Sequence, residues 1–446
     1  VDQTGRGAQG KARPAANQPD FPERLLSLAA AAGAEAAEVF QSRALSQPVV
    51  FEANRLKQLE TSESEGTALR LWRQGRPGLV VAYGMVDPQV LVEKALALSQ
   101  LNLPETPELT PGQVKRFPDL GSGVPVEQLV AWGHEAIELI RQAYPEVLCY
   151  AELESEAEFT RLINSEGLDY AYQDTTLSGY LSAEWIRGDD FLSVGDGEVS
   201  RHGLQPRGWV EEILQRLAWA EQTVLPPPGR LPVLFTQKAA ELLWGTVQSA
   251  LNGKRVVEGA SPWSERLGQP VVSSGITLLQ DPQAGPYSCP FDDEGSLTQR
   301  QVLLQQGVLQ GFYCDRKVGR QLGCGTTGNG FRPGLGSYPL PGLLNLLIEP
   351  GQQSLPALMA TLDHAIVVDQ VLGSDAGISG ELSINVELGY YLKQGEILGR
   401  VKDTMVAGNV YTALKHLIAL SKERLWNGSC YTPAIAVDSL SVTGRS

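Results

Sequence analysis

Histidine is scarce in this chain: four in 446 residues, at His134, His202, His364 and His416. They are too dispersed to offer a paired-imidazole metal motif, and a G-x-S-x-G nucleophile turn is also missing. Five cysteines (Cys149, Cys289, Cys314, Cys324 and Cys430) form no C-x-x-C pair, and their odd number argues against a disulfide framework. A reducing cytoplasm is the expected setting. No apolar run approaches the roughly 18 residues of a membrane span, so no membrane partner is expected. Clusters of Lys and Arg are absent and the net charge is −15, which excludes a nucleic-acid surface spread over the protein. Residues 1–20 hold Gly, Ala, Gln and Pro without an apolar stretch, and read as a disordered leader rather than a secretory signal.

What is present is ordinary globular material, 42% hydrophobic and 20% charged, in enough length for two domains. Helical spacing is expected at 21–32, 88–98, 126–143 and 209–222. Between the first pair lie short β-rich runs at 36–41, 48–53, 67–73 and 79–83, with turns at 62–66 and 74–78; between the second pair lie runs at 147–164, 167–178 and 180–186. Helix, meander and helix thus occur twice, which suggests a structural duplication without visible sequence repeat. The proline run from Leu225 to Gly229 is the expected boundary. The fold class is therefore α+β: an N-terminal domain at 21–224 with antiparallel meanders and flanking helices, a linker at 225–230, and a β-rich C-terminal domain at 231–446. In the second domain a hairpin is expected around residues 302–313, a meander over 381–401, a late helix over 411–425 and a closing strand over 434–442.

The stretch from Leu231 to Pro270 organises the second domain. A short strand, Leu231 to Phe235, leads to a helix whose Ala239, Leu242, Leu243, Val247, Ala250 and Leu251 share one face. Thr236 suits the N-cap, and Asn252-Gly253 the stop. Periodicity alone makes this a core helix.

Several constellations invite chemistry. Asp292, Asp293 and Glu294 stand together; clustered carboxylates orient amines, hold a cation, or form a solvated turn. Gly323 to Gly328 matches G-x-G-x-x-G formally, but a helix-like segment precedes it, whereas the dinucleotide mechanism needs a strand before and a helix after. His134-Glu135 lacks a second histidine at either usual spacing, and Cys430 reads as a buried structural thiol.

Together, the 231–270 stretch, PFDDEGSLTQR at 290–300 and TTGNGFR at 326–332 resemble the TldD/PmbA family, the "modulator of DNA gyrase" group, over most of the chain from about residue 20. The resemblance implies proteolysis by a two-chain, hydrolase-type metallopeptidase. In that family the TldD-type chain carries H-E-x-x-x-H on this helix and the PmbA (TldE) type lacks it. Aligning the family's glycine-serine stretch on Gly259 to Gly268 puts Trp244, Gly245 and Ser249 at the motif positions. The resemblance therefore implies a chain with no catalytic residue, no metal and no cofactor of its own. Its implied partner is a TldD-like metal-bearing subunit, with a homodimer possible in isolation. Its implied ligands are unfolded or modified-precursor peptides. Asp292, Asp293, Glu294, Thr327, Gly328, Asn329 and Arg332 are the expected substrate-chamber residues, with the loop as a mobile element beside a cleft. The alternatives are a homodimeric binding or regulatory protein on a relic peptidase fold, and an independent hydrolase using the 292–294 carboxylates with an oxygen-ligated metal such as Mg²⁺.

Overall fold

The structure is a computed structural model that describes residues 20–372 and 376–444. The expected leader lies outside these residues except for Asp20, which caps the first helix in a reciprocal capping box with Glu23.

The N-terminal elements run α1 (Phe21–Ala31), β1 (Ala36–Glu52), β2 (Arg55–Leu59), β3 (Ser62–Arg73), β4 (Arg76–Tyr83) and α2 (Pro88–Ser99). A second series follows: β5 (Val114–Arg116), α3 (Val126–Ala143), β6 (Leu148–Asn164), β7 (Asp169–Arg187), β8 (Asp190–Ser200) and α4 (Pro206–Trp219). All eight strands form one sheet. Its centre is the long antiparallel ladder of β1 on β6, from Glu38↔Asn164 to Phe51↔Ala151. Outward from it the order β1, β3, β4 on one side mirrors β6, β7, β8 on the other, and a helix precedes and follows each half. The suspected duplication is thus visible in the topology.

The strands are longer than the sequence suggests. The 36–41 and 48–53 runs are one strand, and so are 167–178 and 180–186. The expected turn at 62–66 is the start of β3, where Ser62 pairs with Ser46. Its polar residues face solvent on a sheet extension, so side-chain polarity does not signal a turn there.

The C-terminal elements are β9 (Gly229–Phe235), α5 (Gln237–Leu251), α6 (Gly253–Val257), β10 (Leu278–Gln280), β11 (Gln301–Gln305), β12 (Val308–Leu309) and α7 (Arg316–Leu322). After them come β13 (Gly330–Phe331), β14 (Leu340–Pro341), β15 (Leu346–Ile348), α8 (Leu355–Ala360), β16 (His364–Leu372), β17 (Glu381–Lys393) and β18 (Glu396–Arg400). The chain closes with β19 (Thr404–Asn409), α9 (Val410–Lys415), β20 (Leu417–Asn427) and β21 (Cys430–Gly444). Eleven strands share a sheet in which β9 pairs with both β16 and β21, so β9, β16, β17, β19 and β21 close into a ring.

The ring wall is apolar on both faces. Val233 and Phe235 of β9, Ile366 and Val368 of β16, and Ile435 and Val437 of β21 pack in the core that holds α5. Their neighbours Leu234, Val367 and Ala436 face the other way, into a core shared with Ile137 of α3 and Ile213 of α4. Burial on both faces explains the continuous runs VLF, IVV and AIAV.

The expected late helix over 411–425 is largely absent. Only Val410–Lys415 is helical, and Leu417–Asn427 is a strand laid antiparallel on β21. Helix-forming Leu, Ala, Lys and Glu are overridden by a buried partner strand. The helix expected at 209–222 sits three residues earlier, with Pro206 in its first turn.

Candidate functional site

Helix α5 sits against the ring with its apolar face inward, as its spacing predicts. Thr236 occupies the N-cap position, but its hydroxyl donates to Asp369 Oδ1 at 2.9 Å instead of capping the helix. Asn252 ends α5 and also caps α6, accepting from the Lys254 N–H at 2.9 Å.

The three expected motif positions have unequal surroundings. Trp244 is fully buried, and its indole Nε1–H donates to Thr432 Oγ1 at 2.7 Å. Gly245 and Ser249 are half-buried on the adjoining face, and a Cβ on Gly245 would meet nothing within 4 Å. The Cys430 thiol is buried nearby, and burial pushes its pKa up. Among the described residues, no group of three or more His, Cys, Asp and Glu side chains is placed to hold a metal ion.

The acidic row is not a solvated turn. Asp292 is fully buried. Its Oδ1 accepts from the N–H groups of Glu294 (3.0 Å) and Ser296 (2.8 Å), and its Oδ2 from that of Gly330 (2.9 Å). Burial, with repulsion from Glu294, pushes its pKa up to about 8 against the opposing pull of those three bonds. Burial likewise raises Asp293 to about 6, and Asp293 Oδ2 accepts from the Arg332 N–H at 2.7 Å. Glu294 Oε2 accepts from the Arg316 N–H at 2.8 Å. These carboxylates tie the 290–298 turn to the 328–332 loop.

That loop is pinned, contrary to the expected mobile element. Asn329 is fully buried and shares two amide bonds with Gln280, at 2.8 and 3.1 Å. The Thr327 hydroxyl accepts from the Cys314 N–H at 2.7 Å. Gly328 has φ +72°, and a Cβ there would approach the Leu297 carbonyl oxygen to 2.5 Å. The formal G-x-G-x-x-G begins at the left-handed C-cap of α7 and leads into β13, not a helix. His134, the other motif false start, lies edge-on to Phe51 at 5.0 Å on α3.

Arg332 crosses to the N-terminal sheet. Its Nη2 donates to Glu38 Oε1 at 2.7 Å, and Arg70 Nη2 lies 2.9 Å from the same oxygen. Sequence reasoning placed Arg332 near a cavity but missed both partners. The available signal was Glu38 itself, a charge interrupting the apolar strand AAEVF.

Close by, a 930 Å³ cavity opens between the N-terminal sheet and helices α6 and α7, with Arg70, Trp72 and Glu105 on one wall and Lys254, Glu294 and Tyr338 on the other. Of the seven expected chamber residues, Glu294 reaches its lining. The proline-rich 101–112 connection closes one side, since Arg316 donates to the Glu108 carbonyl and the Thr110 hydroxyl, each at 2.6 Å. The 381–401 meander leaves little edge free: β17 is paired along both flanks, and residues 222–224 bridge to Arg400 at the end of β18.

Residues 228–444 match the model of the PmbA/TldA metallopeptidase C-terminal domain, and residues 37–99 that of PmbA/TldA metallopeptidase domain 1. Those two matches span more than half of the chain. It belongs to the PmbA/TldD metallopeptidase family. The fold is similar to that of TldE from Thermococcus kodakarensis, with a TM-score of 0.88 at 24% identity, covering 95% of this chain and 100% of that one. In sequence it is 26% identical over 420 residues to an uncharacterised protein of Methanocaldococcus jannaschii, covering 90% of this chain and 94% of the relative. It is 25% identical over 358 residues to a metalloprotease PmbA homologue of Haemophilus influenzae, covering 74% and 77%. No helix among the described residues is long and apolar enough to cross a membrane.

Proposed function

We propose that this PmbA/TldD-family chain is the metal-free subunit of a two-chain metallopeptidase and forms part of the wall of its substrate chamber. The observation that carries the reading is Trp244. At the position where the family resemblance puts the first histidine of H-E-x-x-x-H, an indole fills the core and spends its one N–H on Thr432. An indole offers no lone pair to a metal, Gly245 supplies no general base, and a lone serine hydroxyl does not replace an imidazole. The donor set therefore does not fit a zinc-type centre, and no step of hydrolysis is assigned to this chain.

Its partner in this reading is a TldD-type subunit that supplies metal and base. Its own contribution is architecture: sheet edges and the 930 Å³ cavity, against which an extended peptide is held through backbone hydrogen bonds indifferent to sequence. The free state of all five cysteines supports a reducing, cytoplasmic setting.

The test is metal analysis of the chain purified alone, followed by reconstitution. The expected result is substoichiometric zinc and iron, no peptidase activity alone, and activity on adding a partner that carries H-E-x-x-x-H. One equivalent of metal per chain that survives dialysis against a mild chelator would overturn the reading. Such a result would turn attention to Cys430, His364, His416 and the 292–294 carboxylates.

A further inference from the structure

A second cavity, of 590 Å³, opens where the first turn of α5 meets β7, β8 and the 427–428 turn. Part of its wall is an irregular stretch of the β16–β17 ladder. Val368 pairs with Gly389 and Gln370 with Leu388, so Asp369 is skipped; Val371 then pairs with Val386, so Glu387 is skipped. Bulges re-aim side chains and recur beside binding sites. Both of these carboxylates line the cavity.

The lining is short of positive charge. Asp196 and Asp369 are matched by Lys238 at 3.0 Å and by Arg216 at 2.8 and 3.2 Å. Glu152, Glu198 and Glu387 remain, and Lys238 is the only basic residue of the lining. Glu387 has neither a hydrogen bond nor an ion pair among the described residues. The N-terminus of α5 opposes these charges with only about half a positive charge.

Acceptors here also lack donors. Asp369 is 1% exposed, and its Oδ2, though 3.2 Å from Arg216 Nε, has no hydrogen-bond partner. The Gln370 amide oxygen is likewise buried and unpartnered. Aromatic faces complete the wall: Tyr287 and Trp426 sit 5.5 Å apart at 48°, with Tyr180 also in the lining.

We propose that this cavity binds a cationic group, an ammonium or guanidinium, carried on a peptide chain. Such a group supplies the N–H donors that Asp369 Oδ2 and the Gln370 amide oxygen lack, a counter-charge for Glu198 and Glu387 within the cavity, and a partner for the Tyr287 and Trp426 rings. The pocket would make this chain the part of the peptidase that selects where along a substrate it grips. The proposal rests on the peptide-handling reading only for the nature of the carrier.

Calorimetric titration of the full chain, alone, tests it with three probes: capped Gly-Arg-Gly, capped Gly-citrulline-Gly and agmatine. The arginine peptide is expected to bind saturably and the neutral citrulline isostere at least about tenfold more weakly, the scale of a charge-assisted bond. Glu387→Gln is expected to weaken arginine binding about tenfold, the same scale, without moving the melting temperature. Should that variant fail to fold, Glu152→Gln on the exposed rim is expected to give a smaller weakening in the same direction. Absence of saturable binding, equal binding of the citrulline peptide, or indifference to these substitutions would overturn the site. Agmatine binding as tightly as the peptide would overturn the peptide assignment. The readout is binding to the isolated chain, so metal in this chain, or failure to activate a partner, would count against the subunit reading and leave this outcome untouched.

Discussion

Glu38 and Arg332, 294 positions apart in the chain, meet through a 2.7 Å hydrogen bond with both side chains 3% exposed. Arg70 approaches the same carboxylate oxygen at 2.9 Å. One buried acid thus holds two guanidinium groups, one from its own sheet and one from the loop that follows α7. Arg70, in turn, lines the 930 Å³ cavity.

Removing that acid should be costly. Glu38→Gln takes the shared carboxylate from two buried cations and leaves them only the more distant Asp293 and Glu294, and loss of one partner from a buried ion pair costs about 3–5 kcal/mol. Urea unfolding should show the lower midpoint with an unchanged slope. A variant as stable as the parent would mean that water reaches the joint.

Trp244 should be structural rather than chemical. Trp244→Ala is expected to destabilise by about 3–5 kcal/mol, the usual cost of emptying an aromatic core site. Trp244→Phe keeps most of the volume and loses the bond to Thr432, for about 1–3 kcal/mol in total. Metal content should change in neither variant, and plasma emission spectrometry on both checks this.

Asp292 should make stability depend on pH. Its folded pKa of about 8 lies above the ordinary carboxyl value of about 3.9 for an unfolded chain. Between those values the folded state holds the extra proton, so this group's contribution to stability falls as pH rises from about 4 to 8. Below that window both states are protonated, and above it both are ionised. Urea midpoints across this range should decline more steeply for the parent than for Asp292→Asn; parallel profiles would sink the assignment.

Cys314 and Cys324 have sulfurs 3.9 Å apart, one buried and the other exposed on the glycine loop. Dilute hydrogen peroxide should oxidise the exposed thiol to a sulfenic acid with release of water. Attack by Cys314 then forms the disulfide and releases a second water. Intact mass should fall by two hydrogens under oxidation, alkylation of the unfolded chain should then add three groups where the reduced protein takes five, and Cys324→Ser should abolish the mass loss.

Much of the fold was legible because local signals agreed with the tertiary outcome. Helix α3 begins and ends where its apolar spacing does, and the Gln394-Gly395 turn falls between β17 and β18. Legibility failed where a partner decides. Residues 417–425 have helical composition, but β21 holds them extended. Residues 62–66 look like a turn, yet β1 continues alongside them. At the site, family likeness drew attention to these two loops, while the contacts of their residues lie outside the local stretch, at Gly330 for Asp292 and at Glu38 for Arg332. Asp292 reads as a surface acid until Gly330 and Ser296 enclose it, and Arg332 reads as a cleft residue until Glu38 takes it.

The proline run at 225–229 divides two sequence patterns, but Leu234, Tyr390 and Ala436 on one side of it share a core with Phe51, Ile137 and Ile213 on the other. The Tyr390 hydroxyl even donates to the Arg216 carbonyl across that divide at 3.1 Å. Covalent continuity is therefore the lesser of the two connections. A protease that nicks the run should yield two fragments on a denaturing gel and one particle in solution, melting as a unit, because neither fragment can leave without stripping the ring wall of its cover.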